Sequence, residues 1–80
     1  MHELGVLCHA VNMVSRMAGE NKITRVKHMT LLVGEDSGYV PAFFEKLFPV
    51  AIERHPVMKG AALKMEIVPG RSLQIKEFGY

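Results

Sequence analysis

The feature that most constrains the fold is a change in the spacing of apolar residues along the first half of the chain. Between residues 4 and 18, apolar side chains recur at steps of three and four, which is the period of a helix with a buried face. Within residues 23–33, Met29, Leu31 and Val33 alternate with their neighbours, which predicts a strand. The 80 residues include a single cysteine, so an internal disulfide is excluded and one hydrophobic core must hold these elements together.

A second helix is predicted after a turn-rich break at residues 34–38. Pro41 suits the first turn of this helix, because the N–H that proline lacks would have no intrahelical partner there. The buried stripe of the helix is predicted to be Phe44, Leu47, Phe48, Ala51 and Ile52. Pro49 falls inside this pattern and should kink or divide the helix.

Two further strands, at residues 61–68 and 72–78, are predicted to form a hairpin. A three-residue loop between them keeps their apolar residues on one face. The expected cross-strand pairs are Ile67 with Leu73 and Met65 with Ile75. The element order helix, strand, helix, strand, strand predicts a single small α+β domain, with a three-stranded sheet and two helices on one face. Its strand-helix-strand unit can form a right-handed parallel crossover.

Composition and charge exclude several classes of protein. With 49% hydrophobic and 22% charged residues, the chain is globular rather than disordered. A net charge of +2, and a basic cluster (Lys22, Arg25, Lys27) without interleaved aromatic residues, argue against nucleic-acid binding. No apolar run approaches the ~20 residues that span a bilayer, and the amino terminus lacks the pattern of a signal peptide. We therefore expect a cytoplasmic protein without a membrane or nucleic-acid partner.

The triplet Met1-His2-Glu3 is a candidate metal site at the start of the first predicted helix. A free terminal amine and the His2 amide nitrogen close a five-membered ring on a metal, and the His2 amide and imidazole Nδ1 close a six-membered ring. Three nitrogens in one plane suit Ni(II) or Cu(II). The fourth ligand is left open between Glu3, another side chain and water. Met1 should be retained, since histidine at position 2 is bulky. The competing interpretation is an ordinary frayed terminus.

Four segments carry motifs that occur together in one known family. They are Met1-His2-Glu3-Leu4, Gly34-Glu35-Asp36-Ser37-Gly38, Gly60-Ala61-Ala62-Leu63 leading into a strand that ends Val68-Pro69, and Leu73-Gln74-Ile75-Lys76-Glu77-Phe78. In this combination and spacing, the chain resembles the HypA/HybF family, the nickel metallochaperones of [NiFe]-hydrogenase maturation. The resemblance covers nearly the whole chain.

One departure from that family lies between the last two strands. Family members carry two Cys-x-x-Cys pairs there, which hold a structural zinc ion. In this chain, Val68 continues through Pro69-Gly70-Arg71 into the last strand. We therefore expect residues 1–80 to form a HypA-like nickel-binding domain without the zinc-binding insertion, whose expected place is between Val68 and Ser72. We expect no zinc in this chain.

The resemblance implies a metallochaperone that is not an enzyme and that binds nickel(II) through the Met1 amine and His2. Glu3 is either a further ligand, through its amide or its carboxylate, or a helix-capping residue. The implied partners are a nickel-handling GTPase and the hydrogenase large subunit, with urease maturation as a further option. The alternative is a metal-free protein-interaction or dimerisation module that retains the fold, and a homodimer is compatible with the small core.

Other chemically active residues favour structural roles. Cys8 and His9 are adjacent on a helix, where neighbours point about 100° apart, so they do not form a nucleophile-base pair. His28 in a strand and His55 before a proline are expected to be structural as well. Glu35, Asp36 and Ser37 form a turn that could dock a partner, although turn chemistry alone accounts for them.

Overall fold

The computed structural model describes residues 2–80, and Met1 lies outside the described residues. Its elements are α1 (Glu3–Glu20), β1 (His28–Gly34), α2 (Pro41–Ala51), one turn of 3₁₀ helix (Pro56–Met58), β2 (Ala62–Val68) and β3 (Leu73–Gly79). The predicted α+β class, with two helices and a three-stranded sheet in the predicted order, is confirmed.

The first helix extends two residues beyond the predicted end at residue 18. Residues that follow the helix donate backbone hydrogen bonds to its last turn. The Ile23 N–H, for example, donates to the Ala18 carbonyl at 2.8 Å. Lys22 adopts a positive φ of 57°, the left-handed conformation that ends many helices. The helix therefore ends within the predicted stop Gly19-Glu20-Asn21, with Asn21 as its C-cap residue. The buried face of α1 consists of Leu7, Ala10, Val11, Val14 and Ala18, with Glu3 at its start.

The first strand begins at His28 rather than at residue 23. The preceding residues are extended but pair irregularly: the Val26 N–H donates to the Val57 carbonyl, and the Lys27 N–H donates to the Gly79 carbonyl. Met29, Leu31 and Val33 are buried against the helices, as their alternation predicts. Thr30, on the opposite face, is also only 3% exposed. The central strand is thus covered on both faces.

The strand order is β2-β1-β3, so the last two strands are not neighbours and the predicted hairpin is wrong. β1 lies between them, parallel to β2 and antiparallel to β3. Leu31 is paired with Met65 on one side and with Ile75 on the other. The residues expected to pair directly do share a face, but they flank a residue of β1. Parallel pairing of β1 with β2 agrees with the predicted crossover.

The connection from β2 to β3 passes over the carboxyl end of β1. Two strands separated by a third lie about 10 Å apart, a distance that residues 69–72 can span. The Gly34, Glu35 and Asp36 N–H groups donate to the Ser72, Val68 and Gly70 carbonyls at 2.7, 2.7 and 2.8 Å. The turn after β1 therefore supplies the donors that hold this crossing in place.

The second helix is continuous through Pro49, which lies exposed inside it. Pro49 does not divide α2. Its ring is exposed to solvent, so it does not disturb the packing of the buried face. Phe44, Phe48 and Ala51 form its buried stripe. Together with Met58 they complete the core beneath α1. No helix among residues 2–80 is long and apolar enough to cross a membrane.

A surface ion pair spans the outer face of the sheet. The Lys76 ammonium donates to the Glu66 carboxylate at 2.8 Å, across the central strand. This hydrogen bond, together with the attraction between the two charges, raises the pKa of Lys76 above its usual value. Lys76 is the extra residue of a bulge, since Thr30 pairs with Glu77 whereas Leu31 pairs with Ile75. Both side chains are half exposed, so the pair adds little to stability.

Replacing Gly34 by alanine should destabilise the fold. An added Cβ would lie 2.5 Å from the Gly70 carbonyl oxygen and 2.8 Å from that of Ser72, both on the backbone. We expect Gly34→Ala to lower the free energy of unfolding by about 1–3 kcal/mol, the usual cost of overpacking. Urea denaturation followed by circular dichroism measures this change. In the control, Gly19→Ala, the added Cβ meets nothing within 4 Å and should raise stability by up to about 1 kcal/mol. Equal effects of the two substitutions would contradict the steric argument.

Candidate metal site

His2 lies exposed at the start of α1, where its side chain takes no part in holding the fold. It is the N-cap residue, with φ of −103° and ψ of 47°, and its side chain makes no capping hydrogen bond. Its carbonyl accepts the Val6 N–H at 3.1 Å, which closes the first helical turn. The amide groups at the start of a helix have no intrahelical acceptor. Both the imidazole and the amide nitrogen of His2 are therefore available for a ligand.

Glu3 is bonded to a residue far away in the sequence. Its side chain is 4% exposed, and Oε2 accepts the Val40 N–H at 3.1 Å across a separation of 37 residues. The sequence-based alternative, in which Glu3 caps its own helix, therefore differs from the structure. The carboxylate instead joins the start of α1 to the start of α2. Of the predicted triplet, the structure describes His2 and Glu3, while Met1 lies outside the described residues.

The segment before α2 is held in place by local bonds as well as by Glu3. The Tyr39 N–H donates to Ser37 Oγ at 3.3 Å, and the Tyr39 ring packs against that of Phe44 with centroids 5.6 Å apart. Val40 is the N-cap residue of α2 and is followed by Pro41. The Glu3 carboxylate thus binds to a segment that is itself anchored in the core.

The position of the Glu3 carboxylate is also electrostatically favourable. α1 begins at Glu3, and α2 begins directly after Val40, so the amino-terminal ends of both helices lie beside this carboxylate. The amino-terminal end of a helix carries a partial positive charge, which stabilises a nearby anion. The first turn of α2 contains no acidic residue of its own. The Glu3 carboxylate therefore places a negative charge beside the amino-terminal ends of both helices.

Exposed apolar residues surround this junction, and the sequence analysis did not identify them. Leu4 is 41% exposed, Val40 is 40% exposed and Phe43 is 50% exposed. Leu4 follows Glu3 directly, and the Phe43 N–H donates to the Val40 carbonyl at 2.9 Å. The helical spacing had placed Leu4 in the apolar stripe of α1, whereas Phe43 falls outside the predicted stripe of α2. An apolar rim therefore borders the end of α1 that carries His2.

The remaining histidines and the cysteine do not assemble a second site. His28 lies against Gly79, where an added Cβ would collide with the imidazole, so the ring covers a glycine in the neighbouring strand. Cys8 and His55 line one shallow groove between α1 and the end of α2. Among residues 2–80, no three His, Cys, Asp or Glu side chains come close enough together to hold a metal ion.

A mostly apolar groove lies apart from His2. It has a volume of about 900 Å³ and lies between α1 and β3. Val6, Ala10, Met13 and Met17 line it from the helix, and Leu73, Ile75 and Phe78 line it from the strand. Its apolar walls offer contact surface rather than a set of metal ligands.

The turn after β1 has a structural role. Glu35 and Asp36 have exposed side chains, while their backbone N–H groups bond to the β2–β3 connection. These backbone hydrogen bonds explain the motif at residues 34–38 as a structural turn. His2 keeps an exposed side chain at the start of α1, where it makes no capping hydrogen bond.

Comparison with known proteins identifies the family. The family model described as hydrogenase/urease nickel incorporation, metallochaperone, HypA matches residues 1–73. The solution structure of the Ni metallochaperone HypA from Helicobacter pylori is similar in fold, with a TM-score of 0.77 and 19% sequence identity. That alignment covers 96% of this chain and 72% of the Helicobacter chain. No curated protein gives a significant match. The match over residues 1–73 shows that this chain belongs to the HypA family of nickel metallochaperones.

Proposed function

We propose that this protein binds Ni(II) at the start of α1 and delivers it in the cytoplasm for maturation of [NiFe]-hydrogenase, without catalysing a reaction. One observation carries the proposal: His2 is exposed and unused by the fold, while the next residue anchors the helix to the core. A metal site that is open to solvent but firmly positioned suits transfer to another protein. Urease maturation is the second option, since the family description names both enzymes.

The proposed ligands are the terminal amine of Met1, the His2 amide nitrogen and the His2 imidazole, with Glu3 as the third residue of the site. Amine, amide and imidazole nitrogens in a planar arrangement are the donor set that favours Ni(II). His2 supplies two of these donors. Its non-helical backbone leaves its amide outside the helical hydrogen-bond pattern.

The charge of the site supports ligation by a deprotonated amide. A cation beside the amino-terminal end of a helix is repelled by the partial positive charge there. Loss of the His2 amide proton on metal binding places a negative charge at that end, and the Glu3 carboxylate lies in the following residue. These two negative groups offset the repulsion. A site that used neutral donors alone would lack this compensation.

Exposure of the site explains how the ion could leave. A square-planar complex exchanges its ligands when an incoming group approaches the metal from outside, and His2 leaves such an approach open. The proposed proteins on either side of this transfer are a nickel-handling GTPase and the hydrogenase large subunit. The apolar rim of Leu4, Val40 and Phe43 offers contact area beside the metal.

The first test is a nickel titration of protein whose Met1 amine is unblocked. We expect a d–d absorption band in the wild type, and loss of at least about 100-fold in affinity in His2→Ala, since even second-shell changes cost 10–100-fold. His9→Ala is the matched control, because His9 is exposed on the same helix. Acetylation of the terminal amine should abolish binding and leave the circular dichroism spectrum unchanged. Tight binding by His2→Ala would refute the proposed ligand set.

Nickel affinity should rise with pH. Binding to amine, amide and imidazole nitrogens displaces protons, and the amide alone releases one at any pH in the working range. Titration calorimetry in two buffers of different ionisation enthalpy measures this release. We expect at least one proton per nickel ion bound, and weaker binding as the solution becomes more acidic. Binding without proton release would exclude amide ligation.

We also propose that the zinc-binding insertion, expected between Val68 and Ser72, is absent and that the fold needs no metal ion. The two strands that would flank it are joined by a short crossing held by backbone bonds. A strong chelator should therefore leave the thermal unfolding midpoint unchanged. Purified protein should contain less than one equivalent of zinc by elemental analysis. A fall in the midpoint with chelator would contradict this expectation.

A second candidate function is a metal-free interaction or dimerisation module. The apolar groove between α1 and β3 favours it, with Met13 43% exposed at its wall. The nickel titration separates the two functions, since this module would bind nickel no better with a free terminus than with an acetylated one. Light scattering after size exclusion gives the oligomeric state in the same samples.

A further inference from the structure

We propose that the Glu3 carboxylate is a positioning group for the nickel site and not a nickel ligand. It holds the first turn of α1 against the start of α2 and thereby fixes where His2 lies. This inference rests on the proposed function, because it concerns the arrangement of the same site. It assigns separate tasks to two adjacent residues: His2 contacts the metal, and the side chain of Glu3 orients His2.

The first argument is that the carboxylate already has a partner. Glu3 Oε2 accepts the Val40 N–H at 3.1 Å, and the side chain is 4% exposed. His2, in contrast, is exposed. If this side chain turned outward to a metal ion held at His2, it would leave its buried position and the Val40 N–H would lose its acceptor.

The second argument is that the Glu3 carboxylate is the acceptor that the structure gives the Val40 N–H. The neighbouring Ser37 hydroxyl is bonded to the Tyr39 N–H. Buried or partly buried backbone N–H groups without a partner are costly. The bond to Glu3 is therefore expected to persist when the metal binds.

The third argument concerns the place of this contact at the amino-terminal end of α1. Glu3 is the first residue of α1, and its bond joins segments separated by 37 residues. Helix ends fray readily unless they are tied down. The bond to Val40 therefore adds to the Val6–His2 backbone bond in fixing the position of His2. The consequence is that only the backbone of Glu3, and not its side chain, is left to contact nickel.

A comparison of Glu3→Gln with Glu3→Ala tests this inference. Glutamine keeps a side-chain oxygen that can accept the Val40 N–H, whereas alanine removes it. We expect Glu3→Gln to bind nickel within about threefold of the wild type, and Glu3→Ala to lose about tenfold or more, as second-shell substitutions do. The d–d band should keep its wavelength in both variants, because the donor atoms are unchanged.

Hydrogen exchange of the Val40 amide, measured by NMR on metal-free protein, reports the contact directly. We expect protection in the wild type and in Glu3→Gln, and faster exchange in Glu3→Ala. This measurement needs no nickel, and comparison with the amides of β1 in the same spectra separates loss of the contact from a global loss of stability. Protection of Val40 that is equal in all three proteins would overturn the positioning role.

The outcomes separate this inference from the proposed function. Equal losses of affinity in both Glu3 variants, with a shifted d–d band, would identify the carboxylate as a ligand and overturn the inference alone. Binding unchanged in His2→Ala would overturn the proposed function. An unchanged affinity in Glu3→Ala, with nickel still lost in His2→Ala, would show that His2 needs no positioning by Glu3.

Discussion

The central position of β1 is the constraint on which the rest of this fold depends. β1 is paired along both edges, and its apolar residues Met29, Leu31 and Val33 form the floor on which the helices pack. Because β2 and β3 must lie on opposite sides of it, the chain between them has to cross the end of β1. That crossing is made possible by Gly34, which leaves room for the carbonyls of residues 70 and 72. The turn that follows then carries the chain towards α2.

Sequence periodicity was sufficient for the elements and their buried faces, but not for the order of the strands. Alternation tells which residues of a strand share a face, and on that point the assignment of Met65 and Ile75 was correct. It carries no information on which strands are neighbours, because an intervening strand preserves the same faces. The near-complete burial of Thr30, on the outer face, agrees with a central strand but is seen only in the structure.

The candidate site divides in the same way into a local part and a non-local part. His2 can be proposed from its place in the sequence, since the proposed chelate uses atoms of residues 1 and 2. The role of the Glu3 carboxylate depends on Val40, which is 37 residues away and contributes only a backbone N–H. A distant backbone N–H partner of this kind cannot be identified from the sequence. The resemblance to a nickel metallochaperone family led to the proposed function. The contact between Glu3 and Val40 became visible only in the fold.

A carrier of metal ions has to satisfy two opposing demands, and the start of α1 meets both through adjacent residues. Release requires ligands that an incoming group can replace, which favours exposed donors such as those of His2. Selectivity requires donors in a defined arrangement, which an exposed chain end alone does not provide. In the proposed arrangement the Glu3 carboxylate resolves this conflict, because it ties the residue after His2 to the start of α2 without covering His2. The same carboxylate lies beside two helix ends of positive partial charge, which stabilise it in that position.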